Sequence, residues 1–339
     1  MGTDSRGIQL HYKTGIIMIS KMVFTNSIQK CDMHSWIFPC LPECINAALD
    51  KADTKILDNL SEIRLRADSV SAVTSNGANY VIAKDGVFPY SLHPVIIGTK
   101  DIDDFIYKVC RGSVYSHEGS ISNGFITING VRIGISGDVT VKNGAVSGFS
   151  SIRSVNIRLP KHIDGCADGL LRHITSDGFE SLGGILVASP PGVGKTTVLR
   201  ELAIKLSNGI NNEHTLKQSF RVSVIDERCE LYIPSLFKNC SADIYSGIPK
   251  HTGIEFASRT MSPEVIIFDE IGSDADAKAV MSAHFGGCTF ISSIHAGSVY
   301  AAMNKRIIKN LYEEGIFTHI YFLERTENGI KGTLHKVAE

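Results

Sequence analysis

The chain has 339 residues, of which 43% are hydrophobic and 20% are charged, and its formal net charge is −1. This length is enough for two domains that each bury a core. A net charge near zero gives no general attraction to nucleic acid or anionic lipid, and no apolar run approaches the ~20 residues that a helix needs to cross a bilayer. We therefore expect no nucleic-acid partner and no direct membrane span.

Residues 1–44 are predicted to form an N-terminal extension, with a disordered tail as one open interpretation. Its short apolar patch at residues 15–19 is not followed by the small-residue cleavage site of a secretory signal. The eight cysteines of the chain include no Cys-x-x-Cys pair. This pattern favours free thiols in a reducing cytoplasm over a zinc site or a disulfide framework.

Residues 45–160 are predicted to form a small α+β domain. Its clearest element is a hairpin, because residues 122–128 and 131–136 alternate polar and apolar side chains around Asn129-Gly130. Asn143-Gly144 predicts a second turn of the same kind. Leu159-Pro160 is a predicted linker, and residues 167–174 are predicted to be a connecting helix.

Residues 161–339 are predicted to form a P-loop ATPase domain. An apolar strand at residues 184–188 leads into a glycine-rich loop, and a helical pattern follows it. Such a loop directs backbone N–H groups and the positive end of a helix dipole at one polyphosphate. The residues predicted to bind the nucleotide are Ser189, Pro190, Pro191, Gly192, Val193, Gly194, Lys195, Thr196 and Thr197.

Within this loop, two side chains have predicted chemical roles. Lys195 places a positive charge at the β- and γ-phosphates, and the Thr196 hydroxyl is a ligand for Mg²⁺. Ser189 stands where the usual motif has its first glycine. This departure leaves the Gly-Lys-Thr end of the motif intact, so nucleotide binding is still predicted.

A second motif makes hydrolysis, and not only binding, the predicted activity. The apolar run at residues 265–268 is typical of a buried parallel strand and ends in Asp269 and Glu270. This is a Walker B pattern. Asp269 is predicted to hold Mg²⁺, and Glu270 is predicted to orient or deprotonate the attacking water.

Two more strands are predicted to end in polar residues at the same edge of the sheet. Residues 222–225 lead into Asp226 and Glu227, and residues 289–292 lead into Ser293 and His295. Glu227 is a candidate for positioning the metal or the water, with pairing to Arg228 or Lys250 as the alternative. His295 is a candidate sensor of the γ-phosphate, with a structural hydrogen bond as the alternative. The predicted fold is α/β: a RecA-like, mainly parallel P-loop sheet flanked by helices, behind the α+β domain.

The ordered set of motifs resembles the secretion ATPase superfamily. It consists of the P-loop, the Asp226-Glu227 strand end, residues 259–264 before the Walker B strand, and residues 293–296. Outside the ATPase core, residues 62–66, 124–137 and 151–158 resemble more closely the stage III sporulation protein AA family. The resemblance covers roughly residues 45 to 330.

This resemblance implies a homo-oligomeric motor, a hexameric ring that hydrolyses ATP with Mg²⁺ on the cytoplasmic side of the membrane. It implies membrane-protein partners in a specialised secretion channel between the mother cell and the forespore, with the motor in the mother cell. Secretion ATPases place arginines at the end of the amino-terminal domain, which makes Arg153 and Arg158 candidates for completing a neighbour's active site. Salt bridging inside the domain is the alternative for these residues, and for Arg64, Arg66 and Arg132.

Two other functions stay open at this point. A nucleic-acid translocase would share the ATPase core, but the chain has no basic tract and only one tryptophan for base stacking. A slowly cycling nucleotide-binding scaffold would bind ATP with negligible turnover. The Asp269-Glu270 pair argues against the scaffold.

Overall fold

The computed structural model describes residues 35–160, 163–177, 183–212, 215–327 and 329–336. The first part of the chain is built on an antiparallel sheet. Its strands are β1 (Leu60–Arg66), β2 (Ala72–Ser75), β3 (Ala78–Ala83), β4 (Gly86–Phe88), β5 (Phe125–Ile128), β6 (Val131–Lys142) and β7 (Ala145–Arg158). They lie in the order β4-β3-β2-β1-β7-β6-β5.

Short helices cover one face of this first sheet. They are α1 (Glu43–Leu49), α2 (Thr54–Leu57), α3 (Thr99–Val109) and α4 (Glu118–Ser122), with 3-10 turns at Phe38–Cys40 and Val114–His117. The first core contains Ile37, Phe38 and Leu41 together with strand residues such as Ile63 and Ile157. Because these three residues precede position 45 and are buried, we propose that the first domain begins near residue 35. The rest of the predicted extension, residues 1–34, lies outside the described residues.

Both predicted hairpins are confirmed, but the first arm is shorter than predicted, because Ser122 ends α4 and the strand begins at Phe125. Asn129-Gly130 joins β5 to β6 and Asn143-Gly144 joins β6 to β7, and in each turn the two φ angles are positive: 49° and 78° in the first, 52° and 78° in the second. Asparagine and glycine tolerate this left-handed region better than other residues. The β6–β7 hairpin extends past the neighbouring strands β1 and β5, so that its outer half is a ribbon of two strands.

The second part of the chain contains the sheet that carries the predicted motifs. Its strands are β8 (Gly184–Ser189), β11 (Val222–Asp226), β12 (Asp243–Ser246), β13 (Val265–Phe268), β14 (Thr289–His295), β15 (Phe317–Thr326) and β16 (Gly329–Lys336), while β9 (Ile210–Asn212) and β10 (Thr215–Gln218) form a separate pair. The order is β12-β11-β13-β14-β8-β15-β16. Neighbours are parallel except β15 and β16, which are antiparallel.

Helices lie on both faces of this second sheet. They are α5 (Asp168–Asp177), α6 (Lys195–Asn208), α7 (Lys250–Thr260), α8 (Asp274–Phe285), α9 (Val299–Met303) and α10 (Arg306–Glu313). Alternate strand residues enter two separate cores: Val265 and Ile267 pack with α5 and α6, whereas Ile266 and Phe268 pack with α7, α8 and α10. Burial on both faces explains why these strands are apolar without alternation. The α/β fold class is confirmed.

The two sheets meet at the first hairpin turn. The Gly130 N–H donates to the Cys229 carbonyl at 3.1 Å, and Arg132 lies 3.6 Å from the Glu230 carboxylate. The Ile233 side chain packs so closely on Gly130 that a Cβ there would come within 2.7 Å of it. This contact, which we call the turn joint, places the loop after β11 between the two sheets. Within the described ranges, no helix is both long and apolar enough to cross a membrane.

Candidate nucleotide site

The predicted phosphate loop lies between the end of β8 and the start of α6. Gly192 and Gly194 have φ angles of 73° and 106°, a region in which a side chain is strained and glycine is not. A Cβ on Gly192 would meet nothing within 4 Å, so conformation and not crowding favours glycine there. The loop opens at the N-terminus of α6, where unpaired N–H groups and the helix dipole favour an anion.

Lys195 is buried in the loop and is held by protein atoms. Its ammonium group lies 2.8 Å from Nδ1 of His295, 3.3 Å from the Ser189 hydroxyl and 3.4 Å from the carbonyls of Ser189 and Pro190. Because an ammonium group only donates, Nδ1 of His295 accepts. Burial lowers the pKa of Lys195, and the carboxylates of Asp269 and Glu270 act in the opposite direction. His295 therefore lies where the terminal phosphates would contact Lys195.

The two predicted metal ligands lie together. The Thr196 hydroxyl donates to Oδ2 of Asp269 at 3.0 Å, and the Ser293 hydroxyl donates to Oδ1 of the same carboxylate. Among the described residues, no group of three or more His, Cys, Asp or Glu side chains is arranged to hold a metal ion. One hydroxyl and one carboxylate nevertheless suit Mg²⁺, which in nucleotide sites takes its other ligands from phosphate oxygens and water.

Glu270 has an unusual backbone conformation. Its φ is +40°, which costs a residue with a side chain roughly 1–3 kcal/mol. The Glu270 N–H donates to the Ser293 hydroxyl at 3.1 Å, and the carboxylate lies 3.4 Å from Arg228. Ser293 of β14 thus bonds both the Asp269 carboxylate and the Glu270 backbone, and it fixes the two residues at the end of β13.

The end of β11 and the loop after it contribute three acidic residues with different roles: Asp226, Glu227 and Glu230. Asp226 is buried and accepts three backbone N–H groups, from Glu230, Leu231 and Tyr232, at 2.8–3.1 Å. Burial raises the pKa of Asp226, and these hydrogen bonds oppose the rise. Asp226 therefore shapes the loop. Glu227 pairs with the buried Lys250 at 2.8 Å, which is the alternative that the sequence left open.

Glu230 is a site residue that sequence reasoning missed. Its carboxylate lines the same pocket as Asp226, Glu227, Arg228, Lys250, Asp269 and Glu270. Burial and the charge of Asp269 raise its pKa, whereas Arg132 and Arg228 lower it. Its position in the polar loop after β11 was the available signal, but the sequence did not show that the loop folds back toward Asp269.

Arg200 of α6 was also missed, and it fixes that loop to the phosphate-binding helix. Its guanidinium donates to the carbonyls of Glu230 and Leu231 at 2.7 and 2.9 Å. Because α6 begins at the phosphate loop, Arg200 connects the helix that faces the phosphates to the loop of the turn joint. The side chain was not a candidate because a long-range contact, and no local motif, defines its role.

The predicted arginines of the first domain lie outside this pocket. Arg153 pairs with Asp138 at 2.7 Å, and Arg158 lies 3.5 Å from Glu62. Both side chains are about two-thirds exposed, at 67% and 63%. Neither lines the pocket of its own subunit, so a role at a neighbour's site stays a prediction. Of the first-domain arginines considered above, Arg132 contacts the loop after β11, through Glu230.

Comparisons with known proteins agree with this architecture. Two solved structures share the fold. The pilus retraction motor PilT with bound ADP has a TM-score of 0.55 and 18% identity, and the match covers 84% of this chain and 82% of PilT. The ATPase DotB of Legionella pneumophila has a TM-score of 0.52 and 14% identity, and the match covers 81% of this chain and 75% of DotB. At these identities the likeness shows the fold alone.

The sequence relatives are more informative. The stage III sporulation protein AA of Bacillus subtilis is 29% identical over 303 residues, which cover 88% of this chain and 92% of the relative. The protein SEEDLING PLASTID DEVELOPMENT 1 of Arabidopsis thaliana is 30% identical over 166 residues, covering 45% of this chain and 21% of that protein. A model of the family described as "Sporulation stage III, protein AA" matches residues 33–337. The predicted resemblance is confirmed, and the chain belongs to the Sporulation stage III, protein AA family.

Proposed function

We propose that this protein is a Mg²⁺-dependent ATPase that acts as a motor in sporulation. The observation that carries the proposal is the convergence of Lys195, Thr196, Asp269 and Glu270 at the carboxyl ends of β8 and β13, the two strands that flank β14. These four groups supply a phosphate-binding cation, two metal ligands and a candidate base. The family of the chain supports the biological setting.

The residues divide the work of hydrolysis. The N–H groups of the loop and the Lys195 ammonium hold the phosphates, and Thr196 and Asp269 would hold Mg²⁺, which neutralises charge on the β- and γ-phosphates when bound. Glu270 orients the attacking water and accepts its proton. Because the Lys195 ammonium contacts Nδ1 of His295 directly, a phosphate that binds Lys195 would change the surroundings of His295, which makes His295 responsive to the nucleotide.

The proposed setting is a homo-oligomeric ring, a hexamer, at the cytoplasmic face of a membrane in the mother cell. ATP hydrolysis would energise assembly of, or transport through, a channel to the forespore that membrane proteins form. In this arrangement Arg153 or Arg158 completes the site of the adjacent subunit. The exposed positions of both arginines are compatible with such a contact.

The test is Mg²⁺-dependent ATPase activity as a function of protein concentration. We expect turnover that rises with concentration, ignores single-stranded DNA, and disappears in Lys195→Ala and Glu270→Gln. Glu255→Gln, an exposed change on α7, is the matched control and keeps wild-type turnover.

Other results would favour the two alternative functions, a nucleic-acid translocase or a nucleotide-binding scaffold. Stimulation by single-stranded DNA would indicate a nucleic-acid translocase. Tight ATP binding without turnover, equal in wild type and Glu270→Gln, would indicate a nucleotide-binding scaffold.

A further inference from the structure

The position of the acidic residues determines where the nucleoside half of the nucleotide lies. Asp269 and Glu270 follow β13, and His295 ends β14, so all three lie on one side of β8 in the sheet. In the proposed mechanism these three groups face the terminal phosphate. The opposite end of the same ligand, which carries the ribose and the base, therefore extends toward the other side of β8, where β15 and β16 lie.

The β15–β16 hairpin presents one of its faces to the start of α6. Tyr321 and Leu323 of β15 are buried in the same core as Val198 and Leu199 of α6. Because side chains alternate along a strand, Arg325 is the next residue on that face. Its cross-strand partner is Ile330 of β16, and directly opposed residues project from the same face.

Ile330 lies beside the phosphate loop and is nevertheless exposed. A Cβ built on Gly194 would lie 3.7 Å from Cδ1 of Ile330, so this side chain lies close to the residue that precedes Lys195. It keeps 47% of its surface exposed. An uncovered aliphatic side chain beside a polar, anion-binding loop is suited to the flat apolar face of a nucleobase.

We propose that Ile330 is the base-contacting residue of the nucleotide site, with Arg325 beside it on the same face. This inference rests on the proposed function, and it deepens it by naming the nucleoside subsite. The ligand class is a nucleoside polyphosphate whose base packs on Ile330 while its phosphates lie in the loop. Lys195 and Thr196 recognise the phosphates, and the β15–β16 hairpin recognises the nucleoside.

The test compares a ligand that has a base with one that lacks it. Binding of ATP and of inorganic tripolyphosphate, both with Mg²⁺, is measured by calorimetry on wild type, Ile330→Ala, Ile330→Leu and Val141→Ala. Val141 is the matched control because it is an exposed valine, at 57%, on the β6–β7 ribbon of the first sheet. Thermal melting without nucleotide checks that each variant is folded.

We expect Ile330→Ala to weaken ATP binding about tenfold, since it removes three carbons from the contact with the base. Tripolyphosphate affinity stays at the wild-type value, and Ile330→Leu and Val141→Ala bind both ligands normally. Unchanged ATP affinity in Ile330→Ala, or an equal loss for both ligands, would overturn the nucleoside subsite alone. Wild-type protein that binds neither ligand would overturn the proposed function as well.

Discussion

Glu201 of α6 shows how a buried charge near the site stabilises the fold. It is 3% exposed, and its two carboxylate oxygens accept the N–H groups of Gly165 and Ala167, each at 2.6 Å. Lys205 lies 2.9 Å away, one turn along the same helix. Glu201 therefore ties the segment that enters α5 to the phosphate-binding helix.

We expect Glu201 to make the free energy of unfolding depend on pH in the acid range. Burial raises the pKa of Glu201, whereas hydrogen bonds from Cys166, Lys205, Ala167 and Gly165 lower it. The hydrogen bonds prevail, so the pKa lies below its ordinary value. The stabilisation is thus present above the ordinary value and is lost as pH falls through the lowered pKa. We expect Glu201→Gln to reduce the free energy of unfolding by about 2 kcal/mol at pH 7, and by less at pH 3.

Urea unfolding at the two pH values measures this difference. The control is Glu313→Gln, because Glu313 is exposed and its contact with Lys309 is long, at 3.8 Å. An exposed pair of this kind adds little stability. A loss in Glu201→Gln that is the same at pH 3 and pH 7 would show that the carboxylate charge is not what stabilises the segment.

Residue roles were predictable where a local motif defines them. Lys195, Thr196, Asp269 and Glu270 were all found from short patterns, and the structure brings them together. Their catalytic roles stay predictions. Glu230, Arg200 and Ile330 were missed because their surroundings come from distant parts of the chain, and no spacing in the sequence encodes such contacts.

At the scale of the element, the two hairpin turns offer a natural comparison. Gly130 and Gly144 both have a φ of 78° and both follow an asparagine. A Cβ on Gly144 would meet nothing within 4 Å, whereas one on Gly130 would lie 2.7 and 2.9 Å from carbons of Ile233. The same turn is thus free at one end of β6 and packed against the loop after β11 at the other.

We expect Gly144→Ala to cost about 1 kcal/mol of unfolding free energy, because alanine disfavours a left-handed backbone. Gly130→Ala pays the same conformational cost and also overpacks the turn joint, for a total of about 2–4 kcal/mol. Urea unfolding of both variants measures the contrast. Equal losses would show that the Ile233 contact relaxes freely.

Elements with a strong local signal were predicted well, and their arrangement was not. Asn-Gly turns and the apolar strand before the phosphate loop are local, so both hairpins and the strand–loop–helix unit were correct. The order of the strands depends on pairing between distant segments, and the placement of residues 37–41 in the first core depends on packing with α3 and the first sheet. Neither leaves a pattern in the residues concerned.

At the scale of the whole molecule, the proposed ring makes a prediction about mixed oligomers. If Arg153 or Arg158 acts in the neighbour's site, its alanine variant and Glu270→Gln are each inactive alone but complement each other. Random assembly of equal amounts gives an intact site at about one interface in four, so about a quarter of wild-type ATPase activity returns.

The control mixes Lys195→Ala with Glu270→Gln, which stays inactive because both residues belong to the same subunit's site. ATPase activity of the mixtures, assembled before ATP is added, is the measurement. Absence of recovery for both arginine variants would leave the salt bridges to Asp138 and Glu62 as their role.

The position of β8 in its sheet has a consequence for synthesis of the protein. β8 is the first strand of the second sheet along the chain, but its partners are β14 and β15, which begin only at Thr289 and Phe317. All six residues of β8 are buried in the finished fold. On the ribosome this apolar strand emerges long before either partner exists, and such unpaired segments are exposed to aggregation. The phosphate loop consequently takes its final form only after β15 has been synthesised.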